Sequence, residues 1–205
     1  MSTGMSASAS TKPSQVLIIR HGEKLGDSSN EKDGGPNLSI RGSSRAAAIP
    51  SLFAPANPQL AYDLVVNGQS FTGSYPPVAL QGNAPRFSPP QFLFATQASK
   101  GSNRPVETVT PLSAALNLAY DDKHADKDYG HVATDILNNS KYEGKIVLIC
   151  WHHGNIQNMA IKLGIAQPPP WPGSVFDRIW VITYPNDQAA LQDLPQMLLF
   201  GDSST

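Results

Sequence analysis

Two apolar runs in this chain each end in a histidine followed by a glycine. Val16-Leu17-Ile18-Ile19 runs into Arg20-His21-Gly22, and Ile146-Val147-Leu148-Ile149-Cys150-Trp151 runs into His152-His153-Gly154. Short, continuous apolar runs read as strands covered on both faces. A strand that stops in a cation and an imidazole carries those groups out of a core into a cleft. Arg104 stands between the two runs, three residues before Glu107-Thr108. Two strand-end histidines and two arginines suit transfer of a phosphoryl group onto imidazole.

Each residue type answers a chemical need. The planar guanidinium offers a phosphate bidentate donors that lysine lacks. Two arginines offset the charge on the equatorial oxygens during transfer. A neutral imidazole attacks phosphorus to give a covalent intermediate that water then cleaves, and nearby cations favour that neutral form. A second, protonated histidine donates to the transferring oxygens. Gly22 and Gly154 are expected to let phosphate approach the backbone. Gly154 also opens a helix whose N-terminal amides favour an anion.

The rest of the pattern places these groups in an α/β domain. Residues 15–20 form a strand, and Gly26 to Pro36 a polar loop. Ser39 caps a helix through Ala46-Ala47-Ala48 that Pro50 ends. Tyr62 to Val66 fits a strand or a helical turn. Residues 67–91, rich in glycine and proline, read as a long loop. Phe92 to Ala95 is a second buried strand. Residues 104–118 are helical, with Pro111 either kinking the helix or starting a new one capped by Thr110. Asp121 to Tyr129 reads as a charged loop and His131 to Leu137 as a helix. A strand at 145–151, a helix at 154–163 with Gly164 past its end, a rigid Pro168–Pro172 loop and strands at 179–184 and 196–200 complete the chain. This alternation predicts a three-layer α/β/α sandwich with a largely parallel sheet, in which ligands collect at the carboxyl ends of the strands.

Composition narrows the partners. A net charge of −1 over 205 residues leaves no electrostatic footprint for nucleic acid or an anionic membrane. No stretch approaches the ~20 apolar residues of a membrane span. The Ser/Ala/Thr-rich residues 1–14 lack the apolar core of a secretory signal and read as a disordered arm before a single domain over 15–205. A cytoplasmic location is the expectation. Cys150 is the only cysteine, excluding an intrachain disulfide; it packs as a small hydrophobe facing away from Trp151. Adjacent histidines on extended backbone point apart, so no metal site is expected.

At these residues the chain resembles the histidine phosphatase superfamily, also called the phosphoglycerate-mutase-like family. Leu17-Ile18-Ile19-Arg20-His21-Gly22-Glu23-Lys24 is similar to its opening signature. Leu38-Ser39-Ile40-Arg41-Gly42 with Arg45-Ala46, Arg104 with Glu107-Thr108 and Pro111-Leu112, and Leu148 through His153-Gly154-Asn155-Ile156 resemble its later motifs. The matches span residues 16–160. The resemblance implies the phosphoglycerate-mutase-like fold and a phosphohistidine mechanism without metal or organic cofactor. His21 is then the nucleophile, and Arg20, Arg104 and His153 hold the phosphate. His153 is taken over His152 because the family's histidine directly precedes the glycine.

Gly22, Glu23, Lys24, His152 and Gly154 are the expected substrate contacts. Asp128 is the expected proton donor, from its distance beyond Arg104, with Asp126 and Asp122 as alternatives. The implied function is hydrolysis of a small phosphomonoester through phospho-His21. The alternatives are a phosphomutase or phosphotransferase using the same intermediate, and a non-catalytic phospho-ligand-binding module. The loop 67–91 differs from the inserts of the mutases.

Overall fold

The computed structural model describes residues 12–25, 35–53, 61–66, 69–74 and 85–203. Its main sheet has six strands: β1 (Gln15–Arg20), β4 (Phe92–Thr96), β5 (Tyr120–His124), β6 (Ile146–Trp151), β7 (Arg178–Thr183) and β8 (Ala190–Pro195). They lie in the order β5-β4-β6-β1-β7-β8. The pairs β5–β4, β4–β6 and β6–β1 are parallel, whereas β1–β7 and β7–β8 are antiparallel. The helices are α1 (Ile40–Ala48), α2 (Arg104–Leu116), α3 (Tyr129–Asn138) and α4 (His153–Lys162).

Alternation along the strands separates two cores. Val16 and Ile18 of β1, with Val147, Ile149 and Trp151 of β6, pack under Val132, Ala133 and Ile136 of α3 and Ile156, Met159 and Ala160 of α4. Leu17, Ile19, Leu148 and Cys150 point the other way, towards Ile49, Leu52, Val109 and Leu112 beside α1 and α2. The result is the three-layer α/β/α sandwich with a largely parallel sheet that the sequence predicts. Trp151 and Cys150 face opposite sides, as strand alternation requires.

Local signals explain the elements. Ser39 is extended and its hydroxyl accepts from the Gly42 amide at 3.0 Å, capping α1. α2 runs unbroken from Arg104 to Leu116 through Pro111, and ends at Asn117 in the left-handed conformation with φ 49°. Neither a new helix nor a second cap is needed.

Three sequence expectations change. Ala61–Val66 and Gln69–Ser74 are strands, β2 and β3, paired antiparallel in a sheet of their own. The two residues between them, Asn67-Gly68, are the strongest short hairpin signal, and they lie inside what reads as a loop. Asp121–His124 belongs to β5, an edge strand whose outward positions take charge without cost. The last strand is the polar edge strand β8 at Ala190–Pro195, not the more apolar 196–200.

Of the arm, residues 1–11 lie outside the described residues. Lys12 and Ser14 bond through their backbones to Gly144 and Lys145. No helix among the described residues is long and apolar enough to cross a membrane.

Candidate active site

β1 and β6 are parallel neighbours in register, Arg20 opposite Trp151, so both histidine motifs leave the sheet at one end. The His21 amide adds a last ladder bond to the Trp151 carbonyl at 3.2 Å. β4, on the other side of β6, ends at Thr96, and eight residues later α2 opens with Arg104. β7 runs antiparallel to β1, so the segment before it, residues 173–177, also arrives at this end. That segment supplies the carbonyls of Gly173 and Val175, which accept from Arg20 Nη1 at 2.5 and 3.1 Å. It also supplies Phe176, whose ring lies 3.5 Å from the Arg20 guanidinium carbon. Arg104 Nη1 donates to the Gly35 carbonyl at 2.9 Å.

His21 is buried and oriented. Its Nδ1 lies 2.7 Å from the Gly22 carbonyl oxygen. A carbonyl only accepts, so Nδ1 carries the proton and Nε2 keeps its lone pair. His152 presents itself edge-on to the His21 ring, with centroids 5.1 Å apart, and Phe176 stands at 6.1 Å. Burial drives the His21 pKa down to about 2; the Gly22 hydrogen bond opposes this, and Arg20, His152 and Arg104 add to it. The His152 pKa is lowered too, chiefly by burial and by Arg104, His153 and Arg20, against the pull of Asp126. The two histidines and two arginines therefore share one electrostatic neighbourhood with His152. Uncharged imidazole beside fixed guanidinium is the state that accepts an electrophilic anion.

Asp126, not Asp128, reaches this group. Its Oδ2 accepts from Asn155 Nδ2 at 2.9 Å, and its backbone carbonyl accepts from Trp151 Nε1 at 3.1 Å. Its Oδ1 is enclosed and accepts no hydrogen bond among the described residues. The Asp128 carboxylate instead accepts from the Ala125 amide at 3.1 Å, closing the turn that leads into α3.

Glu23 also departs from expectation. Its carboxylate is taken by Arg45, whose Nη2 lies 2.7 Å away, and by Arg41 Nε at 3.0 Å. Arg45 carries the network on to Asp202 at 2.8 Å and to Gln196. Burial opposes ionisation of Glu23, but these guanidinium bonds hold its pKa below the usual range. Glu23 is thus a tie between the turn after His21, α1 and the C-terminal segment. Lys24 sits on the exposed side of the same turn, in a bridge with Leu38.

The two glycines differ. A Cβ on Gly22 would meet the Gly42 carbonyl oxygen at 2.8 Å, and one on Gly42 would meet the Glu23 carbonyl oxygen at 2.2 Å. Gly22 makes room for α1. A Cβ on Gly154 would meet nothing within 4 Å, so the start of α4 stays open beside the histidines. Sequence reasoning missed Phe176 and the Gly173–Val175 carbonyls, because only the antiparallel direction of β7 brings them here. Among the described residues no group of His, Cys, Asp and Glu is arranged to hold a metal ion.

No family model matches the sequence, and no curated protein matches it either. Solved structures do. A protein assigned as the phosphohistidine phosphatase SixA from Agrobacterium tumefaciens is 16% identical, over 89% of this chain and 98% of that one, with a TM-score of 0.44. One assigned as an alpha-ribazole-5'-P phosphatase from Escherichia coli K-12 is 12% identical, over 90% and 97%, with a TM-score of 0.50. Phosphoglycerate mutase from Bacillus anthracis Sterne is 12% identical, over 90% and 94%, with a TM-score of 0.49. At these identities the likeness is one of architecture, and its measure is the match to the Escherichia coli structure over nearly the whole of both chains. The chain therefore has the fold of that structure, a largely parallel sheet between two layers of helices.

Proposed function

We propose that this protein hydrolyses a small phosphomonoester through a phosphohistidine on His21. The observation that carries the reading is the state of the His21 ring: buried, uncharged, held at Nδ1 by the Gly22 carbonyl, and flanked by Arg20 and Arg104. Such a ring offers Nε2 as nucleophile without a separate base.

Nε2 attacks phosphorus, the bond from phosphorus to the ester oxygen breaks, and the electron pair leaves with that oxygen. Arg20, Arg104 and His153 hold the equatorial oxygens, with the α4 amides behind Gly154 adding positive potential. Asp126 is the group assigned to protonate the departing oxygen; its free Oδ1 and its nearness to His152 support it over Asp128. His152 walls the pocket beside the nucleophile. Water then attacks the phosphohistidine and gives its proton to the Asp126 carboxylate, the phosphorus–nitrogen bond breaks, and Nε2 recovers its lone pair. No step needs a metal or organic cofactor.

The test is chemical trapping. Rapid quenching after mixing with a labelled aryl phosphate should leave label on the protein that survives alkali and is lost in acid, as a phosphohistidine is. His21→Ala should carry none and release no phosphate while remaining folded. Label that persists in His21→Ala would overturn the assignment. A screen of phosphorylated sugars, nucleotides and acids, read by free phosphate, then defines the substrate.

A further inference from the structure

The hydroxyl of Thr108 joins three of the pieces that make the site. Thr108 lies one turn after Arg104 on α2 and is fully buried. Its Oγ1 donates to the Arg104 carbonyl at 2.7 Å and accepts from the Gly22 amide at 2.9 Å. Its side chain also neighbours the Cys150 thiol on β6, two residues before His152, and opposes the upward push that burial gives the thiol pKa.

The bond to Gly22 is the consequential one. The ladder of β1 against β6 ends at the His21 amide, so the next amide, Gly22, has no strand to pair with. Left buried without an acceptor it would be costly. Glycine is also the residue whose backbone is least constrained by its own sterics. What holds the Gly22 peptide in place is therefore external: Thr108 at its amide, and the close approach of Gly42 on its other side. The carbonyl of the same residue sets the His21 ring through Nδ1. The chain of contacts runs from Arg104 through the Thr108 hydroxyl to Gly22 and on to His21 Nδ1. The helix that delivers the second arginine thus also aims the nucleophile.

Resting on the phosphohistidine reading above, we propose that Thr108 is a positioning residue that fixes the direction of His21 Nε2 relative to Arg104. Without its acceptor, the Gly22 peptide is free to turn, the Nδ1 anchor loosens, and Nε2 loses its line of attack. A displacement of ~1 Å in a reacting group costs on the order of 10²-fold in rate. Phosphate binding depends on Arg20 and Arg104, whose own bonds to Gly173, Val175 and Gly35 do not pass through the hydroxyl. The effect belongs to the chemical step and not to affinity.

The experiment uses the full chain with p-nitrophenyl phosphate as the turnover probe and inorganic phosphate as the binding probe. Thr108→Val keeps the shape and removes the acceptor; Thr108→Ser keeps it. The expectation is a fall of about 10–100-fold in kcat and in the rate of phosphoenzyme formation for Thr108→Val. KM and the affinity for phosphate should change less than about threefold, well inside a tenfold step in binding energy, and Thr108→Ser should recover most of the rate. Imidazole 15N shifts should show His21 losing its fixed Nδ1–H tautomer in Thr108→Val. If that variant fails to fold, Thr108→Ala, which removes the same oxygen, is read in the same way.

A folded Thr108→Val or Thr108→Ala with parental kcat and an unchanged tautomer overturns the proposal. So does Thr108→Ser as slow as valine. Absence of turnover and label in the parent protein would instead count against the phosphohistidine reading, and the tautomer measurement would still decide the role of Thr108.

Discussion

A buried imidazole that stays uncharged makes the fold pay at acid pH, and the cost can be measured. In the unfolded chain His21 takes a proton near its ordinary value of 6.5, whereas in the folded protein burial and the cations Arg20 and Arg104, with His152, keep it uncharged down to about 2. The unfolded state therefore binds the extra proton first, and stability falls as pH drops below 6.5. Each pH unit below that value costs about 1.4 kcal/mol, so at pH 5.0 the penalty is roughly 2 kcal/mol, and at pH 7.5 it is close to nil.

His21→Gln removes the titrating group and keeps a polar side chain. Urea unfolding of both proteins at pH 7.5 and 5.0, followed by emission of the buried Trp151, Trp171 and Trp180, gives four stabilities. The histidines away from the site are common to both chains and cancel, and His152, which touches His21, is held as glutamine in both. The variant should gain about 2 kcal/mol on the parent between the two pH values, whatever the substitution costs by itself. Buffers must be free of phosphate, because an anion between Arg20 and Arg104 would favour the charged ring and hide the effect. Parallel pH dependence, within the ~0.5 kcal/mol scatter of such comparisons, would refute the claim that His21 is held uncharged by its surroundings.

Three further outcomes are expected. Arg45→Met removes the buried one of the two cations, Arg45 and Arg41, that Glu23 and Asp202 share, and should cost about 3 kcal/mol in urea unfolding. Asp202 is held at about 2, below its ordinary 3.8, by Arg45 and the Leu198 and Leu199 amides, although burial opposes this. Its contribution is therefore complete above about pH 4 and fades as pH falls towards 2, a sensitivity that the Arg45→Met protein should show less strongly, since the Leu198 and Leu199 amides remain. Gly42→Ala drives a Cβ to 2.2 Å from the Glu23 carbonyl oxygen, a backbone atom that no rotamer change can move. It should destabilise by roughly 1–3 kcal/mol and slow turnover, because Gly22 lies in the same contact. Asp126→Asn should slow hydrolysis of alkyl phosphates by about 10²-fold or more, as loss of a general acid does, and slow p-nitrophenyl phosphate far less, since that leaving group departs without a proton. Equal losses on both substrates, or the selective loss in Asp128→Asn instead, would remove Asp126 from the donor role.

What the sequence made legible is what strands alone determine. Arg20, His21 and His153 sit where they do because two buried strands stop beside them, and buried strands announce themselves as apolar runs. The polar edge strands β5 and β8 lack that signal, because one flank of each meets solvent. They read as loop, and the more apolar residues 196–200 read wrongly as strand. The choice between Asp126 and Asp128 was out of reach for a geometric reason. Both belong to one short 3-10 turn, in which residues two positions apart point about 120° away from each other. Distance along the chain from Arg104 carries no information about which of them faces His152.

Glu23 and Gly22 show a different limit. Each stands inside the motif that names the nucleophile, and each invites a role towards the ligand. Their partners explain them better. Glu23 bonds to Arg45, 22 residues on, and Arg45 to Asp202, a further 157 away. Gly22 is small because Gly42 of α1 packs against it. A motif thus mixes groups that do chemistry with groups that let the chemistry be held still, and local spacing cannot separate the two. The distinction matters for interpreting loss of activity. Substitutions at Glu23, Gly22 and Gly42 should lower stability and turnover together, because the turn that carries His21 is clamped by α1 and the C-terminal segment. Substitutions at Asp126 should move turnover alone. Stability measured beside rate is therefore what assigns a residue of this motif to the clamp or to the reaction.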